Sequence, residues 1–295
     1  MIKILLFYLG LSKRLRITEK LQNLYRWRRP IKPYAFIRAC NEIKTIDLCL
    51  KSVLPALEGG VIGFNSCTDG TKEYILEFCK KYPQFIPVEY PFDVIPGGDS
   101  RYMHSDLELN TRLDSYYNFV WDKLPKNKWV VKIDCDHYFN LEAFQSVCKL
   151  PIRRKDCVIL NRINLHYFNN VLYINKKNPV SESSDSWIIY NNRNIRFEFW
   201  RGWVDNRFTA YEYLPLPSKE RKKIFAICTN WHFPNIKNQR NEFNLEEWIE
   251  FSKFDFENYF KNNRLKGRIQ QYMINEKNII NAFNQFNHSG KRIFP

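Results

Sequence analysis

Short apolar runs alternate with amphipathic, helix-like segments between residues 34 and 133 of this 295-residue chain. The first kind of segment predicts strands and the second predicts helices. The predicted elements, in chain order, are strand 34–39, helix 45–57, strand 61–64, helix 72–81, strand 85–90, helix 113–124 and strand 129–133. Because strands that alternate with helices form a mostly parallel sheet, we predict an α/β, Rossmann-like fold flanked by helices.

Polar loops follow three of the predicted strands. They are Asn41-Glu42, the turn 65–71 and the segment 134–137. The carboxyl ends of parallel strands meet at one edge of a sheet, and ligands bind in the crevice beyond that edge. The sequence therefore predicts that these three loops line a single binding crevice.

Two aspartates end the strand 129–133. Asp134 and Asp136 leave the strand on the same side if its extended geometry persists, because strand side chains alternate with period two. Converging carboxylates repel each other unless a cation lies between them, and oxygen ligands of this kind suit Mg²⁺ or Mn²⁺. A neutral imidazole at His232 can complete a Mn²⁺ shell. His137, by contrast, is predicted to face the other way and not to bind metal.

Positive charge is concentrated at the amino terminus. The net charge is +15, and residues 1–33 hold nine Lys or Arg and one acidic residue. Apolar positions on one helical face among these basic residues are typical of a helix that lies on an anionic membrane. The apolar stretch 2–11 is shorter than the roughly 20 residues that span a bilayer. The eight cysteines are scattered, several lie in apolar stretches, and we expect no cleavable signal. This pattern favours a reducing, cytoplasmic compartment over a secreted disulfide framework.

Two other functional classes fit parts of the sequence. A metal-dependent nucleotidyltransferase also uses paired aspartates, but the chain lacks a Gly-rich phosphate loop or a third acidic ligand near them. A non-enzymatic protein that binds nucleic acid or membrane would fit the net charge. That charge is concentrated in the first 33 residues, however, and no RRM, KH or zinc-finger pattern is present. We therefore favour an enzyme and expect no nucleic-acid partner.

Four motifs together resemble a known enzyme family. Residues 35–42 (AFIRACNE), 60–71 (GVIGFNSCTDGT), 75–80 (ILEFCK) and 132–138 (KIDCDHY) resemble bacterial lipooligosaccharide β-1,4-N-acetylgalactosaminyltransferases of the CgtA type. The second motif is similar to the Asp-Asp-Gly-Ser-Thr-Asp-Gly-Thr element of GT-A glycosyltransferases, with Asn65 where that element has an acidic residue. The resemblance is dense over residues 33–140 and patchier over 181–237.

The resemblance implies a GT-A fold and an inverting transfer of a sugar, expected to be GalNAc, from a UDP-sugar to a hydroxyl of a lipooligosaccharide or other glycan. It also implies Mn²⁺ or Mg²⁺ as cofactor. The basic, amphipathic pattern of residues 1–33, which lies outside the resemblance, separately predicts a peripheral location on the inner membrane. The implied metal ligands are Asp134, Asp136 and His232. The implied donor-binding residues are Arg38, Asn41, Glu42, Asn65, Asp69 and Asp134.

Such an enzyme needs a carboxylate that removes the acceptor proton, a step typically worth about 10²- to 10⁴-fold in rate. The candidates are Asp185, Asp205 and Glu212. We rank Asp185 first, because it lies in a polar turn before an aromatic strand, and Glu212 second, because Leu-Pro-Leu-Pro follows it closely. The predicted segments are a basic arm (1–33), a donor-binding half (34–140), an acceptor-binding half (141–237) and a C-terminal helical extension (238–295).

Overall fold

The structure is a computed structural model of the chain. It describes residues 21, 24, 29–97, 99–103, 107–181, 185–192, 195–204, 207–215, 222–236, 245–263 and 268–289. Most of the predicted membrane-binding arm and the candidate base Asp205 lie outside the described residues. Ile31 is buried, and its backbone N–H donates to the Cys148 carbonyl at 3.0 Å. The chain is therefore attached to the folded domain from Ile31 onward.

The strands form one large sheet and one separate hairpin. In chain order they are β1 (Tyr34–Ala39), β2 (Gly59–Phe64), β3 (Phe85–Glu89), β4 (Lys128–Ile133), β5 (His137–Phe139), β6 (Asp156–Phe168), β7 (Val171–Asn175), β8 (Val180–Ser181), β9 (Trp187–Asn191), β10 (Glu198–Val204), β11 (Arg207–Tyr213), β12 (Lys222–His232) and β13 (Trp248–Glu250). The large sheet has the order β13-β7-β6-β9-β4-β1-β2-β3. β12 pairs with β6 and β5, β8 pairs with β6, and β10 and β11 form the hairpin.

The first half of the sheet is parallel, as predicted. β1 lies between β2 and β4, and β2 pairs with β3, all in parallel. β2 begins at Gly59, two residues before the predicted start, so the two glycines belong to the strand. A Cβ atom on Gly60 would lie 2.8 Å from the Ala35 carbonyl oxygen. Glycine is needed there because the backbone of β1 approaches so closely.

Helices cover both faces of this parallel half. The described helices are α1 (Ile46–Val53), α2 (Thr71–Lys81), α3 (Leu113–Trp121), α4 (Leu141–Val147), α5 (Phe256–Asn262) and α6 (Glu276–Ser289). Side chains alternate along β1, so that Ile37 joins the apolar cluster of α1 and α2 while Phe36 packs edge-on against Trp121 of α3. A sheet that is buried on both faces explains why its strands read as continuous apolar runs.

The second half of the sheet is joined through antiparallel pairs. β9 runs antiparallel to β4, β6 runs antiparallel to β9, and β12 runs parallel to β6. The predicted C-terminal helical extension contains α5 and α6 but also the unpredicted strand β13, which pairs with β7. A three-residue strand is too short to show the alternation of apolar and polar residues that predicts a strand. It is recognised only by its pairing with β7. Among the described helices, none is both long and apolar enough to cross a bilayer.

Candidate active site

The loops that follow β1 and β2 are bonded to one another at the carboxyl edge of the sheet. The Thr68 N–H donates to Asn41 Oδ1 at 2.8 Å, and the Ile43 N–H donates to Asp69 Oδ2 at 3.2 Å. The Glu42 N–H donates to Thr71 Oγ1 at 2.8 Å. The structure thus brings the first two predicted loops together, and Asn41 and Asp69 hold them in place.

Two further residues from the predicted donor set are buried in the same region. Glu42 is 7% exposed, and its carboxylate accepts a hydrogen bond from Thr45 Oγ1 at 3.0 Å, at the start of α1. Asn65 is 4% exposed and directly follows β2. Both residues are buried beside the two bonded loops, and direct contact with a nucleotide stays a prediction for each.

Arg38 and Asp134 connect the end of β1 to the end of β4. Arg38 Nη2 lies 2.8 Å from Asp134 Oδ1, and the guanidinium lies over the Tyr117 ring at 3.6 Å. Lys132 Nζ lies 3.2 Å from the other carboxylate oxygen. Burial opposes ionisation of this carboxyl, but Lys132 and Arg38 together hold the pKa of Asp134 well below its usual range. The lowered pKa favours the ionised form of Asp134 at this edge.

The same lysine links Asp134 to a third carboxylate. Lys132 Nζ lies 2.5 Å from Asp185 Oδ1, and Arg162 Nη1 lies 3.6 Å from Asp185 Oδ2. Arg38, Asp134, Lys132, Asp185 and Arg162 thus form an alternating series of charges, which we call the ion-pair chain. Lys132 is the main cause of a lowered pKa at Asp185. A carboxylate stabilised in this way is a weak proton acceptor.

Glu212 reaches the same region from the separate hairpin. It lies on β11, opposite Phe199 of β10, and its side chain is half-buried. It forms no ion pair with any residue in the described part of the chain. Burial raises the pKa of Glu212, although the positive charges of Arg38 and Lys132 oppose this. A raised pKa makes Glu212 the stronger base of the two described candidates.

Asp136 belongs to a different group from Asp134. One potential ligand atom from each of Asp136, His137 and His232 lies within 4.8 Å of the others. His232 Nε2 is 3.3 Å from Asp136 Oδ2, and His137 Nε2 is 3.8 Å from Asp136 Oδ1. β5 runs antiparallel to β12 and places His137 directly opposite His232. We call these three residues the metal-ligand group, because two imidazoles and a carboxylate are common ligands of divalent cations.

The predicted orientation of His137 is therefore wrong. The chain turns after Asp134, whose carbonyl accepts from the His137 N–H at 3.3 Å, so extended geometry does not persist through the two aspartates. This turn directs Asp134 toward Arg38 and Lys132, and it leaves Asp136 beside the two histidines. The two carboxylates thus have separate partners instead of converging on one point.

The residues of the metal-ligand group fit a divalent cation. His137 is fully buried, and neither of its ring nitrogens has a hydrogen-bond partner among the described residues. A buried polar atom without a partner is costly, and a metal ion would remove that cost at the ring nitrogen that binds it. Burial, followed by repulsion from His232 and Arg162, lowers the pKa of His137 to about 3. The ring is consequently neutral near pH 7, which is the form that binds metal.

A comparison with protein families identifies the chain. A family model described as Beta-1,4-N-acetylgalactosaminyltransferase (CgtA) matches residues 19–287. The chain belongs to this family. It is therefore a glycosyltransferase, and the predictions of this family and of a transferase are confirmed.

Other comparisons add less to the assignment of this CgtA-family enzyme. No curated protein matches it significantly. Among solved structures, it is similar to glucosyl-3-phosphoglycerate synthase from Mycobacterium tuberculosis in complex with Mn²⁺, UDP and phosphoglyceric acid, with 16% identity and a TM-score of 0.29. That match covers 49% of this chain and 46% of the synthase chain. The similarity thus spans about half of each protein.

Sequence reasoning assigned no role to Lys132 or Arg162 in the CgtA-family enzyme, and it rejected His137 as a ligand. Lys132 could have been found, because a lysine within an otherwise apolar strand needs a buried partner or a functional reason. Its side chain is 4% exposed and contacts two carboxylates. Arg162 lies on β6, far from the motifs in sequence, and no local pattern indicates its contact with Asp185.

Proposed function

We propose that this enzyme transfers GalNAc from UDP-GalNAc to a hydroxyl of a lipooligosaccharide or related glycan, with inversion at the anomeric carbon and with a divalent cation. The observation that carries the proposal is the metal-ligand group, which joins two buried residues just after β4 to the last residue of β12 in a member of this family. A nucleotide diphosphate bound beyond the carboxyl ends of β1, β2 and β4 would lie beside that group.

Asp136, His137 and His232 would hold the cation. When bound, a divalent cation stabilises the negative charge that develops on the departing diphosphate. Two nitrogen ligands suit Mn²⁺ better than Mg²⁺, which prefers oxygen ligands and retains its water. We therefore expect Mn²⁺ to support activity at lower concentration than Mg²⁺ does.

Asp134 would orient the donor without binding the cation. Arg38 and Lys132 keep its carboxylate ionised and fixed in position. An ionised carboxylate accepts hydrogen bonds from the two hydroxyls of a ribose. Asn41, Glu42, Asn65 and Asp69 would then form the surface that receives the nucleoside, and Asn65 is the least exposed of the four.

Glu212 is the carboxylate that we propose as the base, in preference to Asp185. The Glu212 carboxylate takes the proton of the acceptor hydroxyl, and the oxygen forms a bond to the anomeric carbon. The bond between that carbon and the diphosphate oxygen breaks, and UDP leaves with the electron pair. Asp185 is already neutralised by Lys132 and Arg162, so its role would be to hold those cations in place.

A donor screen tests the function. Purified protein is incubated with UDP-GalNAc, UDP-GlcNAc, UDP-Gal or UDP-Glc and a lipooligosaccharide acceptor, with Mn²⁺, Mg²⁺ or EDTA, and released UDP is measured. We expect UDP-GalNAc with Mn²⁺ to give the highest rate, and EDTA to abolish it. Release of pyrophosphate instead of UDP would replace the proposal with a nucleotidyltransferase. Sugar transfer that persists in EDTA would reject the proposal that a divalent cation takes part.

We also propose that the basic amino-terminal arm binds the anionic surface of the inner membrane. Deletion of residues 1–28 retains Ile31, which is anchored to Cys148. This deletion should preserve turnover of a soluble acceptor but weaken sedimentation with vesicles that contain anionic lipid. Neutral vesicles serve as the control. Equal sedimentation of the full chain and the truncated chain would reject membrane binding by the arm.

A further inference from the structure

A row of three polar residues crosses three neighbouring strands beside the metal-ligand group. His232 of β12 is in register with Asn164 of β6 on one side and with His137 of β5 on the other. Residues in register across adjacent strands project from the same face of a sheet. The imidazole of His232 therefore lies between an amide and a second imidazole.

The amide of Asn164 has a fixed orientation. Its Nδ2 donates to the Asn178 carbonyl at 2.6 Å, and its backbone N–H donates to the Pro179 carbonyl at 3.0 Å. The Asn178 N–H in turn donates to Asn175 Oδ1 at 2.8 Å. The atom that faces the Asn178 carbonyl must be a donor, so it is Nδ2, and the carbonyl oxygen at the other end of the amide faces His232. Asn164 is 8% exposed, so little water competes for this contact.

The bond between these two residues determines where the proton of His232 resides. His232 Nδ1 lies 2.7 Å from Asn164 Oδ1. An amide oxygen can only accept, so Nδ1 must carry the hydrogen and donate it. In a neutral ring, Nε2 then has a lone pair, and this atom lies 3.3 Å from Asp136 Oδ2. Two lone-pair atoms at that separation favour a cation that both can bind.

We infer that Asn164 is a positioning residue that selects the metal-binding tautomer of His232 and aims its Nε2 at the cation site. The inference rests on the metal site proposed above. Partners of this kind orient metal-bound histidines, and their removal typically costs about 10- to 100-fold in metal affinity. Asn164 touches neither substrate nor metal in this role, and it acts only through His232.

Two substitutions separate this role from a structural one. Asn164→Leu removes the acceptor, and Asn164→Asp keeps an acceptor for Nδ1 while it loses the donor to Asn178. Asn161→Leu is the matched control, because Asn161 is a buried asparagine of the same strand whose Nδ2 donates to the Ala226 carbonyl at 2.7 Å. Mn²⁺ binding is measured by electron paramagnetic resonance without donor or acceptor. The tautomer of His232 is read from long-range ¹H–¹⁵N spectra of the metal-free protein at pH 8, with His232→Gln for assignment.

We expect metal-free wild type to hold His232 neutral with its proton on Nδ1. Asn164→Leu should lose that tautomer preference and bind Mn²⁺ about 10- to 100-fold more weakly. Asn164→Asp should bind Mn²⁺ nearly as well as wild type even if its melting temperature falls, and Asn161→Leu should keep both the tautomer and the affinity.

Several results would overturn the inference. A wild-type His232 that is protonated on Nε2, or on both nitrogens at pH 8, removes its basis. Equal Mn²⁺ affinity in wild type and Asn164→Leu rejects only the role of Asn164, and so does an equal loss in Asn161→Leu. Absence of Mn²⁺ binding by wild type instead rejects the proposed metal site itself. If Asn164→Leu fails to fold, the wild-type tautomer and the Mn²⁺ affinity of Asn164→Asp still decide whether Asn164 is a positioning residue.

Discussion

Asp136→Asn should lower turnover by about 10³-fold or more and should abolish Mn²⁺ binding, while the protein stays folded. Asp136 is the only carboxylate of the metal-ligand group, so it supplies the only negative charge. The two imidazoles beside it bind metal in their neutral form. A bound cation supplies several kcal/mol of stabilisation to the developing charge, and each 1.36 kcal/mol corresponds to tenfold in rate. The measurements are kcat from UDP release, Mn²⁺ binding by electron paramagnetic resonance and folding by circular dichroism.

Two matched variants sharpen this test. Asp134→Asn changes the other aspartate of the motif, whose partners are Arg38 and Lys132, so it should weaken donor binding but retain Mn²⁺ binding. Asp156→Asn changes a buried aspartate at the first residue of β6, whereas the metal-ligand group lies near the last residues of that strand. The Asp156 carboxylate accepts from the Ile152 and Arg153 N–H groups. It should leave turnover and Mn²⁺ binding intact. Full turnover by Asp136→Asn would contradict the assignment of this residue to the metal.

Glu212→Gln should reduce kcat by about 10²- to 10⁴-fold with little change in Mn²⁺ binding, because glutamine cannot take the acceptor proton. Asp185→Asn should cost less than about tenfold, since Asp185 is half-exposed and the substitution removes only its ion pairs with Lys132 and Arg162. A larger loss in Asp185→Asn than in Glu212→Gln would reverse our assignment and restore Asp185 as the base.

The pH dependence gives an independent test of the same residue. A base acts in its deprotonated form, so activity falls as the pH drops through its pKa. Burial raises the pKa of Glu212, and the acidic limb of kcat/KM should therefore lie above the value of about 4.3 that is usual for glutamate. Asp185 has a lowered pKa, so an enzyme that used it would keep its activity to lower pH. The acidic limb of the kcat/KM profile should be present in the Asp185→Asn variant and absent from the Glu212→Gln variant.

Local sequence patterns were sufficient for the first half of the fold. β1 has the predicted bounds, and β4 ends at Ile133, as its apolar run indicates. These strands are predictable because burial on both faces requires apolar side chains at nearly every position. Since parallel strands end at one edge, the meeting of the loops near Asn41 and Asp69 also followed from the sequence alone.

The composition of the metal-ligand group did not follow from local pattern. Periodicity predicts the direction of a side chain only while a strand continues, and the chain turns between Asp134 and His137. That turn separates the partners of the two aspartates and brings His137 toward Asp136. Sequence reasoning therefore proposed Asp136 and His232 for this group, and their metal role stays a prediction, whereas it placed His137 on the wrong side.

What the sequence by itself determined was the class of fold, the edge of the sheet that carries the site, and the family of enzymes. Each of these depends on patterns within a few neighbouring residues or on motifs in a fixed order. Only the tertiary structure decided which side chains meet: His232 contacts Asn164, 68 residues away, because β12 runs between β6 and β5. The register of strands distant in sequence is set by packing of the whole sheet, and no local signal encodes it.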